Sequence, residues 1–446
     1  MNSKVVSTIW DASTGKWKIK VEKTGTTVGD EADVLINGSG ILNRWRWPDI
    51  NGLHSFKGKL MHTAAWDQSL DWTGKRVAII GNGSSAIQVL PQMQPKAAKV
   101  TNFIRTATWI SANYLAELTP EGKNFQYTEE QKRTLREEPG ALLELRKHIE
   151  STFNKFFYAL LIGTPEQKFV GEAFQKSMEE RLKKDPELCA KLIPEWQVGC
   201  RRLTPGEGYL EALQEGNVSI EFNQIEQITE KGIKTAKGEE EFDIIVCATG
   251  FDVSFTPHWE MAGKNGIKLA DQWRDNPEAY MGICATNMPN YFIFNGPNCP
   301  VGHGSLIACM GWAADYILRW CKKIATEDIK YVFKTRHLIS CNANIAITRS
   351  VTVSEGALAD YNTYTQEFMR LTVWTSGCRS WYKNHKVDGK VTAMYAGSIL
   401  HFKEMLESFR TEDFNFEYNT INRFRFMGNG LTILEEKGED LAYYVK

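Results

Sequence analysis

The sequence predicts an α/β fold of two interleaved dinucleotide-binding units, with a helical insertion in the second. Three observations carry that reading. Residues 76–90, RVAIIGNGSSAIQVL, run from an apolar strand through a glycine turn into a helix start. ADVLINGSG and FDIIVCATG echo each other as acidic residue, apolar strand and glycine turn, which fits two related folds in one chain. From Thr128 to about Lys191 the chain turns charged, with helical spacing and few strand signals.

The glycine turn can be read residue by residue. Val77–Ile80 is a short apolar strand. Gly81 allows the tight turn, Gly83 lets the backbone approach a pyrophosphate, and Ala86 takes the small position where helix packs on strand. Phosphates would sit on the free N–H groups at the helix N-terminus. Gly81, Asn82, Gly83, Ser84, Ser85, Ala86, Ile87 and Gln88 are therefore the expected cofactor-binding residues. The next strand, Val100–Ile104, leads to Arg105, 24 positions after Gly81. An acid there would bind a ribose 2′-OH. Arg105 and Thr106, with no acid beside them, favour a 2′-phosphate and hence NADPH.

The remaining elements follow in order. Lys4–Ile9 and Trp17–Glu22 alternate like the strands of a hairpin, joined at residues 11–15. Asp33–Asn37 is a short apolar strand ending in Gly38-Ser39-Gly40. Trp45–Gly52, with Pro48 and several aromatics, reads as a linker between units. The charged helical stretch is expected to pack on the surface as a lid without chemistry of its own. Val218–Phe222, Ile233–Thr235 and Phe242–Cys247 return to strands. Ser305–Ile324 and Leu358–Trp374 read as long apolar helices.

Composition bounds the function. A chain of 446 residues is long enough for a large core. A net charge of −1 supplies no basic surplus for nucleic acid. No apolar run reaches the length of a membrane span, and no signal peptide opens the chain. The nine cysteines are odd in number and scattered, with no CxxC. That favours a reducing, cytoplasmic setting and neither a disulfide framework nor a zinc site.

A second motif stands just before the glycine turn. FKGKLMHTAAWD supplies Phe56, Gly58, His62, Trp66 and Asp67 in the pattern F-x-G-x-x-x-H-x-x-x-W followed by P or D. With it the chain resembles the class B flavoprotein monooxygenases, close to the Baeyer–Villiger branch. Within that branch it is similar to fungal enzymes that oxidise ketones in secondary metabolism. The resemblance implies FAD and NADPH as cofactors, and a ketone and O2 as substrates. His62 would be a domain-linker residue controlling cofactor position, with Phe56 and Trp66 as packing. In Gly199-Cys200-Arg201-Arg202-Leu203, Arg201 would help hold the NADP phosphate. Arg202 would face the flavin and stabilise the anionic peroxyflavin with fixed positive charge. Ala248-Thr249-Gly250 would be the return to the flavin domain. Pro289-Asn290-Tyr291-Phe292 and Gly296-Pro297-Asn298 would lie near the isoalloxazine. Trp381, in Ser380-Trp381-Tyr382, would contact the nicotinamide ribose.

The implied domains are a residual FAD-binding part at 1–44 and a linker at 45–73. The NADP-binding domain follows at 74–252, with its insertion at about 125–195. The return to the FAD-binding domain is 253–446. The flavin unit reads as N-terminally incomplete. Family members begin with a βαβ unit whose own GxGxxG turn holds the FAD pyrophosphate, and no such turn precedes Gly81. Three readings therefore stay open: an active monooxygenase, a flavin-free NADP-binding remnant or scaffold, and a chain whose Met1 is an internal methionine.

Overall fold

The computed structural model describes residues 2–111, 118–120, 125–326, 350–418, 422–424, 427 and 429–445. Its centre is a five-stranded parallel sheet. The strands are Lys59–His62 (β5), Arg76–Ile80 (β6), Lys99–Phe103 (β7), Val218–Glu221 and Ile244–Cys247. Their spatial order is Val218–Glu221, β7, β6, Ile244–Cys247, β5. Val77–Ile80 and Ile244–Cys247 are buried throughout, as strands covered on both faces must be. Helix α1 (Ser84–Met93) lays Ala86, Ile87, Leu90 and Met93 on this sheet, one stripe of a helical face.

A second body surrounds the N-terminal strands Ser3–Asp11 (β1), Lys16–Lys23 (β2), Thr26–Ala32 (β3) and Leu35–Asn37 (β4). β1, β2 and β3 form an antiparallel meander, and Glu260–Ala262 adds to β1 in parallel. β4 pairs in parallel with Tyr291–Ile293. Trp17 anchors the meander: it is fully buried, and its Nε1 donates to the Pro289 carbonyl at 2.8 Å.

The expected hairpin is thus a three-stranded meander. β3 escapes sequence reading because TTVGDEA carries no alternation and stays largely exposed. Glu31 of β3 holds Lys16 and Lys18 of β2, charges that blunt an exposed edge. The two halves of the echo both form parallel strands, β4 in one body and Ile244–Cys247 in the other.

The charged stretch is helical: Glu129–Glu137 (α2), Ala141–Lys155 (α3), Pro165–Arg181 (α4) and Pro186–Leu192 (α5). Neither α2 nor α3 buries a residue. The segment after α3 is anchored, since Leu160 is buried and Ile162 N–H donates to the Leu371 carbonyl at 2.8 Å. The long helices span Leu306–Thr326 and Glu355–Met369. The second starts earlier than its apolar pattern because Ser354 caps it, its Oγ accepting from Ala357 N–H. It stops at Met369, and the Thr372 hydroxyl donates to the Met369 carbonyl.

Trp320, on the first long helix, is fully buried against Phe409, Phe414 and Phe416. Trp320→Ala is expected to destabilise the chain by about 3–5 kcal/mol. Chemical denaturation with intact flavin-free protein measures it, and a loss below about 1 kcal/mol would contradict this packing.

His303 gives a pH dependence. It is buried, its Nε2 accepts from Ile399 N–H at 3.1 Å, and burial pushes its pKa down to about 4 from 6.5. The unfolded chain therefore takes up this proton below pH 6.5, while the folded chain does so only near 4. Its contribution is complete above pH 6.5 and is lost as pH falls toward 4, about 3 kcal/mol in all. Carboxylates such as Asp11 and Glu31, held down at about 2, act in a lower window. Urea unfolding at pH 7 and pH 5 should show the loss, and His303→Gln should reduce it, the remainder belonging to His62, His258 and His385, which burial also lowers. Equal stability of the parent at both values would contradict it.

Candidate cofactor and active site

The C-terminal edge of the parallel sheet gathers the site. Gly81 follows β6, Arg105 and Thr106 follow β7, His62 ends β5, and Ala248-Thr249-Gly250 follows Ile244–Cys247. In open parallel sheets, ligands bind in the crevice beyond this edge.

The glycine turn is tightly specified. Gly81 has φ +112°, and a Cβ there would lie 2.6 Å from the Ala248 carbonyl oxygen. Asn102, buried on β7, donates to the carbonyls of Ile79 and Gly81 at 3.0 and 2.8 Å. Tyr209 in turn donates to Asn102 Oδ1 at 2.9 Å. Asn82 Nδ2 reaches the Thr106 carbonyl at 2.8 Å and ties the turn to the end of β7. Gly83 caps α1 with no side chain, which leaves the helix N-terminus open to an anion. Ser84 bonds Thr204, Ser85 is half-buried, and Gln88 folds back to the Ser84 carbonyl. Ala86 and Ile87 turn their side chains into the core, and Ile87 N–H is taken by the Gly83 carbonyl.

Beside this turn the structure collects cations. The Arg201 guanidinium donates to Thr106 Oγ1 at 3.3 and 3.4 Å and lies 5.1 Å from the Trp196 ring. Its Nε is buried without a hydrogen-bond partner. Burial, then Arg105 and Arg379, pushes its pKa down. His385 is lowered by burial and by Arg46, Arg105 and Arg379, against Asp252. Lys383 is buried, donates to the Ser376 carbonyl at 2.6 Å, and is lowered by burial and by Arg201, against Asp388. Among the described residues, neither Arg105, Arg201 nor Arg379 forms an ion pair. Repelling cations with an orphaned buried N–H fit a multiply charged anion such as the 2′-phosphate.

Of the second motif only His62 reaches this edge, while Phe56 and Gly58 precede β5 at its other end. Phe56 packs in a core with Ala78, Ile80, Phe103, Ile245 and Cys247. Gly58 is required because a Cβ would lie 2.6 Å from the Asp243 carbonyl oxygen. Trp66 meets Trp72 edge-on at 6.2 Å. Asp67 pairs with Lys59 and accepts from Ser69 N–H, which hold its carboxyl well below the usual range. His62 is buried, and its ring stacks on Trp45 at 4.6 Å. Nδ1 accepts from Ala64 N–H at 3.1 Å, and Nε2 has no aligned partner. Burial lowers the His62 pKa, with the Gly250 backbone opposing. The linker crosses here: Trp45 bridges Phe251, and Asp252 N–H donates to the Arg44 carbonyl at 2.7 Å.

Arg202, next to Arg201, is exposed and has no ion pair among the described residues. Trp381 is half-buried, edge-on to Tyr382 at 4.6 Å. The cysteine expectation needs correction. Cys200 and Cys378, 178 residues apart, are joined in a disulfide with Cα atoms 6.3 Å apart. Parity and spacing cannot reveal a single link between distant segments. Six described cysteines are free, and Cys341 lies outside the described residues. Arg379, Lys383 and His385 also went unread. The available signal was a repeated tripeptide: Gly199-Cys200-Arg201 and Gly377-Cys378-Arg379 meet at that disulfide.

Residues 3–163 match the family of flavin-binding monooxygenase-like proteins. The FAD-binding monooxygenase tazF of Aspergillus terreus is 46% identical over 450 residues, covering 100% of this chain and 77% of tazF. The chain belongs to the FAD-binding monooxygenases. This FAD-binding monooxygenase is also 34% identical over 456 residues to moxY of Dothistroma septosporum, covering 99% of this chain and 68% of moxY. In fold it is similar to cyclohexanone monooxygenase from Rhodococcus sp. Phi1 bound to NADP+. There the TM-score is 0.74 at 23% identity, over 93% of this chain and 80% of that one. The OTEMO complex with FAD and NADP gives a TM-score of 0.75 at 22% identity, over 93% and 80%. Among the described residues of this monooxygenase, no helix is long and apolar enough to cross a membrane, and no cluster of metal-ligating side chains occurs.

Proposed function

We propose that this chain is an NADPH- and FAD-dependent Baeyer–Villiger monooxygenase that converts a bulky ketone to an ester or lactone in secondary metabolism. The observation that carries the NADPH part is the group of unpaired cations, Arg105 and Arg201 foremost, beside the open N-terminus of α1. Gly81–Gln88 hold the pyrophosphate, Arg105, Thr106 and Arg201 the 2′-phosphate, and Trp381 the nicotinamide ribose. The full motif from Phe56 to Asp67 and the likeness in fold to a cyclohexanone monooxygenase support the ketone. Bound FAD and NADPH supply the redox chemistry: hydride from the nicotinamide and oxygen activation at the flavin. Arg202 supplies fixed positive charge where negative charge develops on oxygen. His62, a neutral ring clamped between Trp45 and the return strand, sets the relative position of the two nucleotide sites.

The first test loads the protein with FAD and adds NADPH without oxygen. Bleaching of the flavin band by NADPH, and much more slowly by NADH, is the expected result. A second reading is an NADP-binding scaffold without turnover. Colourless protein that resists FAD loading yet binds NADPH would support that scaffold, and a stoichiometric flavin band would exclude it.

A further inference from the structure

We infer that Arg379 is a third cation for the adenosine 2′-phosphate of NADPH, held beside Arg201 by the Cys200–Cys378 disulfide. The inference rests on the NADPH reading above. Arg201 and Arg379 each follow one of the two linked cysteines, whose Cα atoms are 6.3 Å apart. The link therefore joins the ends of two segments and starts both arginines from one point. Both cysteines are buried, whereas Arg379 is exposed. Its positive charge adds to burial in lowering the pKa of both Arg201 and His385, which puts Arg379 in the same cationic group.

Ser380, the next residue, is buried and caps the short turn Trp381–Lys383 with its hydroxyl, which fixes the backbone on one side. The disulfide fixes it on the other. Arg105 and Arg379 both repel Arg201, and none of the three forms an ion pair among the described residues. The arrangement becomes favourable when a doubly charged phosphate enters, with charge-assisted hydrogen bonds from each guanidinium. Arg379 is thus a cofactor-binding residue, and Cys200 and Cys378 are positioning residues that act through it.

The test is equilibrium binding of NADP+, NAD+ and 2′,5′-ADP to the intact protein, which needs no turnover. Arg379→Ala, a surface change, is expected to weaken NADP+ and 2′,5′-ADP about tenfold or more and to leave NAD+ within twofold. Arg379→Lys should recover part of the loss. The double variant C200S/C378S should weaken 2′,5′-ADP in the same sense. Combined with Arg379→Ala it should add nothing further, since both changes remove one interaction. Unchanged 2′,5′-ADP binding in Arg379→Ala would overturn the role of Arg379. Full additivity of the cysteine and arginine changes would overturn the positioning role of the disulfide. Failure of the NADPH reading itself looks different: the parent protein would then bind NAD+ as tightly as NADP+. If the cysteine variant does not fold, Arg379→Ala alone decides the first point. Mild thiol reduction of the parent, with circular dichroism unchanged, then decides the second: weakened 2′,5′-ADP binding supports the positioning role and unchanged binding overturns it.

Discussion

Gly81→Ala is expected to abolish useful NADP+ binding and to lower the stability of the whole nucleotide unit. Two costs act together. The residue sits at φ +112°, where an L side chain is strained by about 1–3 kcal/mol. The new Cβ would also lie 2.6 Å from the Ala248 carbonyl oxygen, which is main chain and cannot swing aside. Relief requires the turn to move away from the adjacent strand. That movement breaks the Asn102 bond to the Gly81 carbonyl and shifts Asn82 off Thr106. A displacement near 1 Å at the phosphate cradle costs about 100-fold in function. NADP+ titration should therefore show affinity lost by about two orders of magnitude, with a lower Tm. Affinity within threefold of the parent at an unchanged Tm would show that the turn does not carry the cofactor.

Arg201→Ala carries the second large effect, and its signature is selectivity. In the free protein Arg201 is costly: half-buried, crowded by Arg105 and Arg379, with Nε unsatisfied. Removing it relieves those costs and loses only the Thr106 bonds and the stacking on Trp196. The Tm without cofactor should therefore change little. The 2′-phosphate loses charge-assisted hydrogen bonds worth about 1.5–3 kcal/mol, or about ten- to hundredfold in affinity. The KM for NADPH should rise by that factor while kcat and the KM for NADH stay near the parent values. Equal losses with both nucleotides would place Arg201 away from the 2′-phosphate.

These two residues also show how far the sequence could be read. Gly81 was legible because its signal is local: strand, turn and helix lie within fifteen residues, and the chemistry of a glycine turn is set by short-range sterics. The insertion was legible for the same reason, since helical spacing needs no distant partner. The fingerprint from Phe56 to Asp67 was legible as a pattern, but its physical content was not. The close approach of Gly58 to Asp243 and the stacking of His62 on Trp45 depend on contacts across the sheet and the linker. β3 was missed because it is a polar edge held by cross-strand charge pairs, with no periodic apolar signal. Arg379 and the disulfide were missed because their partners stand 178 residues away. Counting cysteines gave the opposite expectation. The site is thus half local turn, which a sequence displays, and half long-range convergence, which only the fold assembles.

The most direct test of the account is an oxygen-tracing experiment. FAD-loaded protein is given NADPH, a panel of bulky cyclic ketones and 18O2, and the products are weighed by mass spectrometry. The expected result is a lactone that carries one 18O atom per molecule, formed with NADPH and far more slowly with NADH. FAD-loaded protein that oxidises NADPH but yields no labelled ester or lactone from any ketone in the panel would contradict the account.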